Sequence, residues 1–123
     1  MQELQQITEQ AWENRELIKE EKTIEVIRDI IALLDKGELR VASPSEEGWQ
    51  VNEWIKKAVI MYFQVQGMKK TDVGPFQFHD KIALKKGYDE LGVRVVPHGV
   101  ARYGSYIARG VIMMPSYVNI GAY

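Results

Sequence analysis

The chain has 123 residues, enough for one domain or for one domain and the start of another, and its 46% hydrophobic and 27% charged residues argue against disorder. A net charge of −1 gives no basic field to draw nucleic acid, and the lack of cysteine excludes disulfides, zinc–thiolate sites and a cysteine nucleophile. No apolar run approaches the ~20 residues of a membrane helix, and residues 1–10 lack the basic and apolar regions of a signal peptide, so a cytoplasmic setting without a membrane partner is expected.

In residues 2–17, Leu4, Ile7, Ala11 and Trp12 recur at helical spacing and predict an amphipathic helix. Residues 23–36 place Ile24, Ile27, Ile30, Ile31 and Leu34 on one stripe, with Thr23 as N-cap and Gly37 as the stop, which makes a helical hairpin. Residues 1–25 carry seven acids (Glu3, Glu9, Glu13, Glu16, Glu20, Glu21, Glu25) against Arg15, Lys19 and Lys22, and this face is expected to be solvated. A short strand over 39–42, a turn over 43–48 and extended residues at Trp49 and Val51 predict a small hairpin. Asn52 is placed to cap a helix over 53–63, whose apolar residues are too many for one stripe and mark it as the core of the amino-terminal part. Lys56 and Lys57 fall on its polar arc as solvated charges, and Trp12, Trp49 and Trp54 read as core or packing anchors. From 64 to 92 the pattern is irregular, with one short helix near Tyr88; a strand over 93–96 then runs into Pro97.

Residues 93–123 repeat every six positions. One column holds Val100, Tyr106, Ile112 and Val118; another, of small residues, holds Gly104, Gly110, Ser116 and Ala122. Six matches neither the helical period of 3.6 nor the strand period of 2, but fits a parallel β-helix whose small residues turn the corners. Two strands and a loop that happen to alternate remain the alternative. The only charges in the stretch are Arg94, Arg102 and Arg109, which suggests guanidinium groups offered to something anionic.

The segment VRVVPHGVARYGSYIARGVIMMPSYVNIGAY strongly resembles the start of the left-handed β-helix of the tetrahydrodipicolinate N-succinyltransferase family. MQELQQI, IALLDKGELRVA and WQVNEWIKKAVIMYF resemble that family's amino-terminal helical domain, so the resemblance covers essentially the whole chain. His98 departs from the pattern, since many members carry a second proline there. The resemblance implies an α+β chain: a helical domain over 1–92 and the first coil of a left-handed parallel β-helix over 93–123. It also implies transfer of a succinyl group from succinyl-CoA to the amino group of ring-opened tetrahydrodipicolinate, in lysine biosynthesis through diaminopimelate. Homotrimers with active sites in clefts between neighbouring β-helices are implied as well.

Arg94 matches the family's substrate-binding arginine, and a planar guanidinium suits a dicarboxylate acceptor. The family's catalytic aspartate, a glutamate and the succinyl-CoA groove lie beyond the position matched by Tyr123. These residues are therefore expected to be an inactive amino-terminal fragment that holds no catalytic residue, cofactor or metal. The alternative is a non-catalytic oligomerisation or binding module derived from the enzyme; another hexapeptide acyltransferase fits less well, because those lack the helical front. With little more than one coil present, an open strand edge and exposed Tyr117, Val118 and Ile120 are expected. Arg102 and Arg109 read as surface or intersubunit charges, and His79 and His98 as structural or surface residues with no neighbour in sequence to orient either ring.

Overall fold

The computed structural model describes residues 1–123. Helix α1 spans Gln2–Glu13 and ends earlier than its apolar spacing suggests. Asn14 is extended, and its side-chain oxygen accepts from the Glu16 N–H to start a separate 3₁₀ helix, Arg15–Lys19. Helix α2 covers Glu21–Asp35. Thr23 does not cap it: Glu20 holds that position without a side-chain bond, and Thr23 is buried within the first turn. The carboxy end follows the expectation. Gly37 takes the left-handed conformation (φ +77), its N–H bonds the Leu34 carbonyl, and the Glu38 N–H reaches back to Leu33.

The first hairpin sits later in the chain than predicted. Strand β1, Ala42–Ser45, pairs antiparallel with β2, Gly48–Val51, leaving a two-residue turn at Glu46 and Glu47. Ser43, Pro44 and Ser45 are thus strand residues, tolerated because a two-stranded sheet consists only of edges. Helix α3, Glu53–Val65, begins after Asn52, whose side chain donates to the Arg40 carbonyl and to Ser43 Oγ and caps nothing. The stretch read as irregular contains a second antiparallel hairpin, β3 (Lys69–Val73) with β4 (Phe76–Asp80), turned at Gly74 and Pro75. Almost every residue in it is exposed, so no buried face left an alternating pattern to read. The short helix α4, Tyr88–Leu91, stands where it was expected.

Four two-residue strands follow: β5 (Arg94–Val95), β6 (Val100–Ala101), β7 (Ile112–Met113) and β8 (Tyr117–Val118). They pair in parallel, Arg94 opposite Ile112 and Val100 opposite Tyr117, at spacings of eighteen and seventeen positions. Gly104 and Gly110 have φ of +95 and +89, which glycine adopts without strain, whereas Ser116 and Ala122 of the same column do not take positive φ. The chain is therefore a mixture of helices and small sheets with a helical amino-terminal region.

The main core is built from Ile27, Ile30, Ile31 and Leu34 of α2 and Ile55, Ala58 and Met61 of α3, with Ala11 of α1. Each large side chain buried this way contributes about 1.5–3 kcal/mol. Ile120 belongs to the same core. It is 9% exposed, seated beside Ile31 where Gly104 gives it room, so the expectation that it would be open fails, whereas Tyr117 is 58% exposed. A second cluster holds Val93, Ala101, Ile107 and Met113. The buried column of the repeat therefore includes Ala101, Ile107 and Met113, one residue along from the column of Val100, Tyr106, Ile112 and Val118.

Two side-chain expectations change. Trp12 and Trp54 pack on the main core, but Trp49 is 68% exposed, with only the Arg40 guanidinium 5.5 Å from its ring. Lys57 is not freely solvated, since it pairs with Glu9 at 2.7 Å and ties α3 to α1.

Gly37 provides a direct test. A Cβ there would lie 2.6 Å from Tyr106 Cδ1, on a residue already at positive φ. Gly37→Ala should cost about 2–3 kcal/mol in urea unfolding. Gly67→Ala, with open space around it and no positive φ, should stay within about 0.5 kcal/mol of the parent.

Candidate functional site

Arg94 lies on β5 with its N–H bonded to the Val111 carbonyl at 3.0 Å. Its side chain is exposed and forms no salt bridge or hydrogen bond within the chain. Arg109, fifteen residues further on, lies against Gly92 and donates to the Glu90 carbonyl at 3.1 Å. No carboxylate neutralises either arginine, and Arg94 in particular keeps its donors free for an anion.

Arg102, expected as a surface or intersubunit charge, is engaged within the chain. Its guanidinium is mostly covered, bonds Asp80 Oδ2 at 2.9 Å and Asn119 Oδ1 at 3.3 Å, and lies 5.4 Å from the Phe63 ring centroid. His79 and His98 are both exposed; the His98 ring stands edge-on to Phe76 at 5.0 Å, and neither ring has a hydrogen-bond partner to orient it.

Sequence reasoning missed a buried ion pair at the end of α2. Lys85, whose side chain is 2% exposed, donates from Nζ to Asp35 Oδ1 at 2.8 Å and to the Asp35 carbonyl at 3.0 Å. Asp35 Oδ1 also accepts the Gly104 N–H at 2.9 Å. Lys85 thus sits at the carboxy end of α2, where backbone carbonyls favour a cation. No local pattern relates residues fifty positions apart, and neither Asp35 nor Lys85 stands out in its own segment.

Two tyrosines surround this pair. Burial raises Tyr88 above the ordinary phenol range, a bond with the Ala101 backbone opposes it, and the Asp35 charge adds to it. Burial also raises Tyr103, with Asp35, Tyr62 and Asp29 acting in the same direction. Beyond the last strands, an open apolar groove of about 430 Å³ runs between Tyr106, Ile107, Val111, Val118 and Tyr123. It has no charged group and offers contact surface, not chemistry. No set of three or more carboxylates and histidines is grouped to hold a metal.

The structure thus sets a helical front and short parallel strands beside arginines that no carboxylate neutralises. Relatives place the chain in a family. The chain is 48% identical to the 2,3,4,5-tetrahydropyridine-2,6-dicarboxylate N-succinyltransferase of Bordetella petrii, over 96% of this chain and 47% of the relative. It is 43% identical to the enzyme of that name from Legionella pneumophila, over 99% and 48%, and 45% identical to that from Variovorax paradoxus, over 98% and 48%. The chain thus spans about half the length of the relatives it matches. Residues 3–65 match the family model described as tetrahydrodipicolinate N-succinyltransferase N-terminal. The chain belongs to the tetrahydrodipicolinate N-succinyltransferase family.

Breaking the Asp35–Lys85 pair should be asymmetric. Asp35→Ala strands a buried ammonium and should cost about 3–5 kcal/mol, whereas Lys85→Met leaves a carboxylate that is partly exposed and keeps the Gly104 N–H, and should cost less. Denaturant melts of the two variants check this order. The tyrosines give a pH test. Tyr62, Tyr88 and Tyr103 have raised folded values, so the native state holds protons that the unfolded chain releases. Their stabilisation is complete below the ordinary phenol value of about 10 and is lost as pH climbs through the folded values. Absorbance titration should show these three phenols ionising above the ordinary value of about 10, with stability falling over the same alkaline range.

Proposed function

We propose that these residues serve in an acyltransferase that moves a succinyl group from succinyl-CoA to the amino group of ring-opened tetrahydrodipicolinate, in lysine biosynthesis through diaminopimelate. The acceptor amine attacks the thioester carbonyl, the C–N bond forms, the C–S bond breaks, and CoA leaves as its thiol. The observation that carries this reading is similarity over 96–99% of the chain to enzymes named for this N-succinyl transfer.

Arg94 is the substrate-binding residue in this reading. Its free, exposed guanidinium, on a strand held by backbone bonds, supports a bidentate grip on one acceptor carboxylate. Residues 1–92 form the helical domain, and 93–123 open a left-handed parallel β-helix. The eighteen- and seventeen-residue pairing supports the coil, because three hexads return the chain to the same side after eighteen residues. We assign the working form as a homotrimer in the cytoplasm, with the acceptor held in clefts between subunits. No catalytic group is assigned among these residues, and residues 1–123 alone are inactive on this reading.

The experiment is steady-state kinetics of the full-length polypeptide encoded with these residues. Arg94→Ala should lower kcat/KM for the acceptor about 10- to 100-fold, as loss of a charged hydrogen-bond pair worth about 1.5–3 kcal/mol does, with the donor KM little changed. Unchanged kinetics remove Arg94 from the site. The codons after Tyr123 test the wider reading: further hexads with an aspartate support the enzyme, and a stop codon favours a binding module.

A further inference from the structure

Arg94 is carried at the middle of a loop closed at its base. Lys85 N–H bonds the Ala101 carbonyl at 2.9 Å, Tyr103 N–H bonds the Ala83 carbonyl at 2.8 Å, and Leu84 bridges Arg102 in antiparallel fashion. The Arg102–Asp80 ion pair flanks this base. Both sides of the closure then converge on one side chain: Asp35 holds Lys85 Nζ on one side and the Gly104 N–H on the other. Asp35 is the last residue of α2, whose apolar face forms the main core. The loop that presents Arg94 is thereby bolted to the most deeply packed helix of the molecule.

We infer that Asp35 and Lys85 are positioning residues for Arg94: their buried pair fixes the loop base so that the guanidinium meets the acceptor carboxylate in one place. A pair needed only for packing could be apolar, since burying two charges recovers little net energy. Asp35 uses its charge to hold two backbone segments at once, Lys85 through its ammonium and the Gly104 corner through its N–H. No apolar side chain makes that connection. A misplacement of about 1 Å in a binding group can cost about 100-fold in rate, which is why the base of such a loop matters to the group at its middle.

The inference rests on the carboxylate role proposed for Arg94, and one set of variants separates the two. Arg94→Ala, Lys85→Met and Lys85→Arg are made in the full-length polypeptide, and each is read by steady-state kinetics and amide hydrogen exchange. Lys85→Met is expected to raise the acceptor KM about tenfold and leave the donor KM within about twofold. Exchange at the Arg94 and Val96 amides should quicken about tenfold or more, while amides of α2 and α3 stay within about threefold. Lys85→Arg restores a cation opposite Asp35 and should recover most of both losses. Uniform loss of protection across the chain overturns the inference, as does an unchanged acceptor KM where Arg94→Ala is impaired. If Arg94→Ala is itself silent, the role of Arg94 fails, and the exchange comparison alone decides whether the pair holds its strand. Should Lys85→Met not fold, the Asp35→Asn, Lys85→Met double variant removes both charges, and the same comparisons are made on it.

Discussion

The carboxylate of Asp35 is the constraint on which the arrangement of this chain depends. It stands where the best-packed helix ends and accepts both an ammonium from Lys85 and an amide proton from Gly104. An unpaired lysine as deeply covered as Lys85 would be costly, so the segment before α4 can enter the fold only by finding that carboxylate. Gly104 reaches it because a residue without a side chain lets Ile120 and Ile31 close over the corner. The helical region and the parallel strands are thus joined by polar geometry at one point and by apolar contact at another.

That joint explains how the chain combines a solvated acidic front with an arginine-bearing tail. Asp80 neutralises Arg102, leaving Arg94 and Arg109 as the tail's uncompensated charges. Of three arginines that look alike in sequence, one is structural, one is braced against Gly92 and one is free. The difference lies in what each meets across the fold, and it sets which of them can meet a carboxylate from outside.

How much could be read beforehand follows from the range of each interaction. The stripe Ile27–Ile30–Ile31–Leu34 was legible because a helix writes its buried face into local spacing, whereas α3 was legible as a core helix without showing that Ile55, Ala58 and Met61 are its buried residues. Gly37 was legible for the same reason, since a helix stop is a local event. The sixfold repeat was visible, but its buried register was not: Val100, Tyr106, Ile112 and Val118 are as apolar as Ala101, Ile107 and Met113, and only pairing at a distance selects the second set. The β3–β4 hairpin escaped because both its faces are wet. Of the candidate site, Arg94 was reached through resemblance, and the Asp35–Lys85 pair, fifty positions apart, was out of reach of any local window.

The sequence distances at this joint also bear on how the molecule forms. Asp35 meets Lys85 fifty positions on and Gly104 sixty-nine positions on, whereas the hairpin of α1 and α2 closes through near neighbours. Closing long loops is paid in chain entropy before any contact returns it, so contacts of high order form late. A ribosome releasing this chain therefore delivers a helical platform first, with its anchoring carboxylate already in place when the lysine and the glycine emerge to claim it.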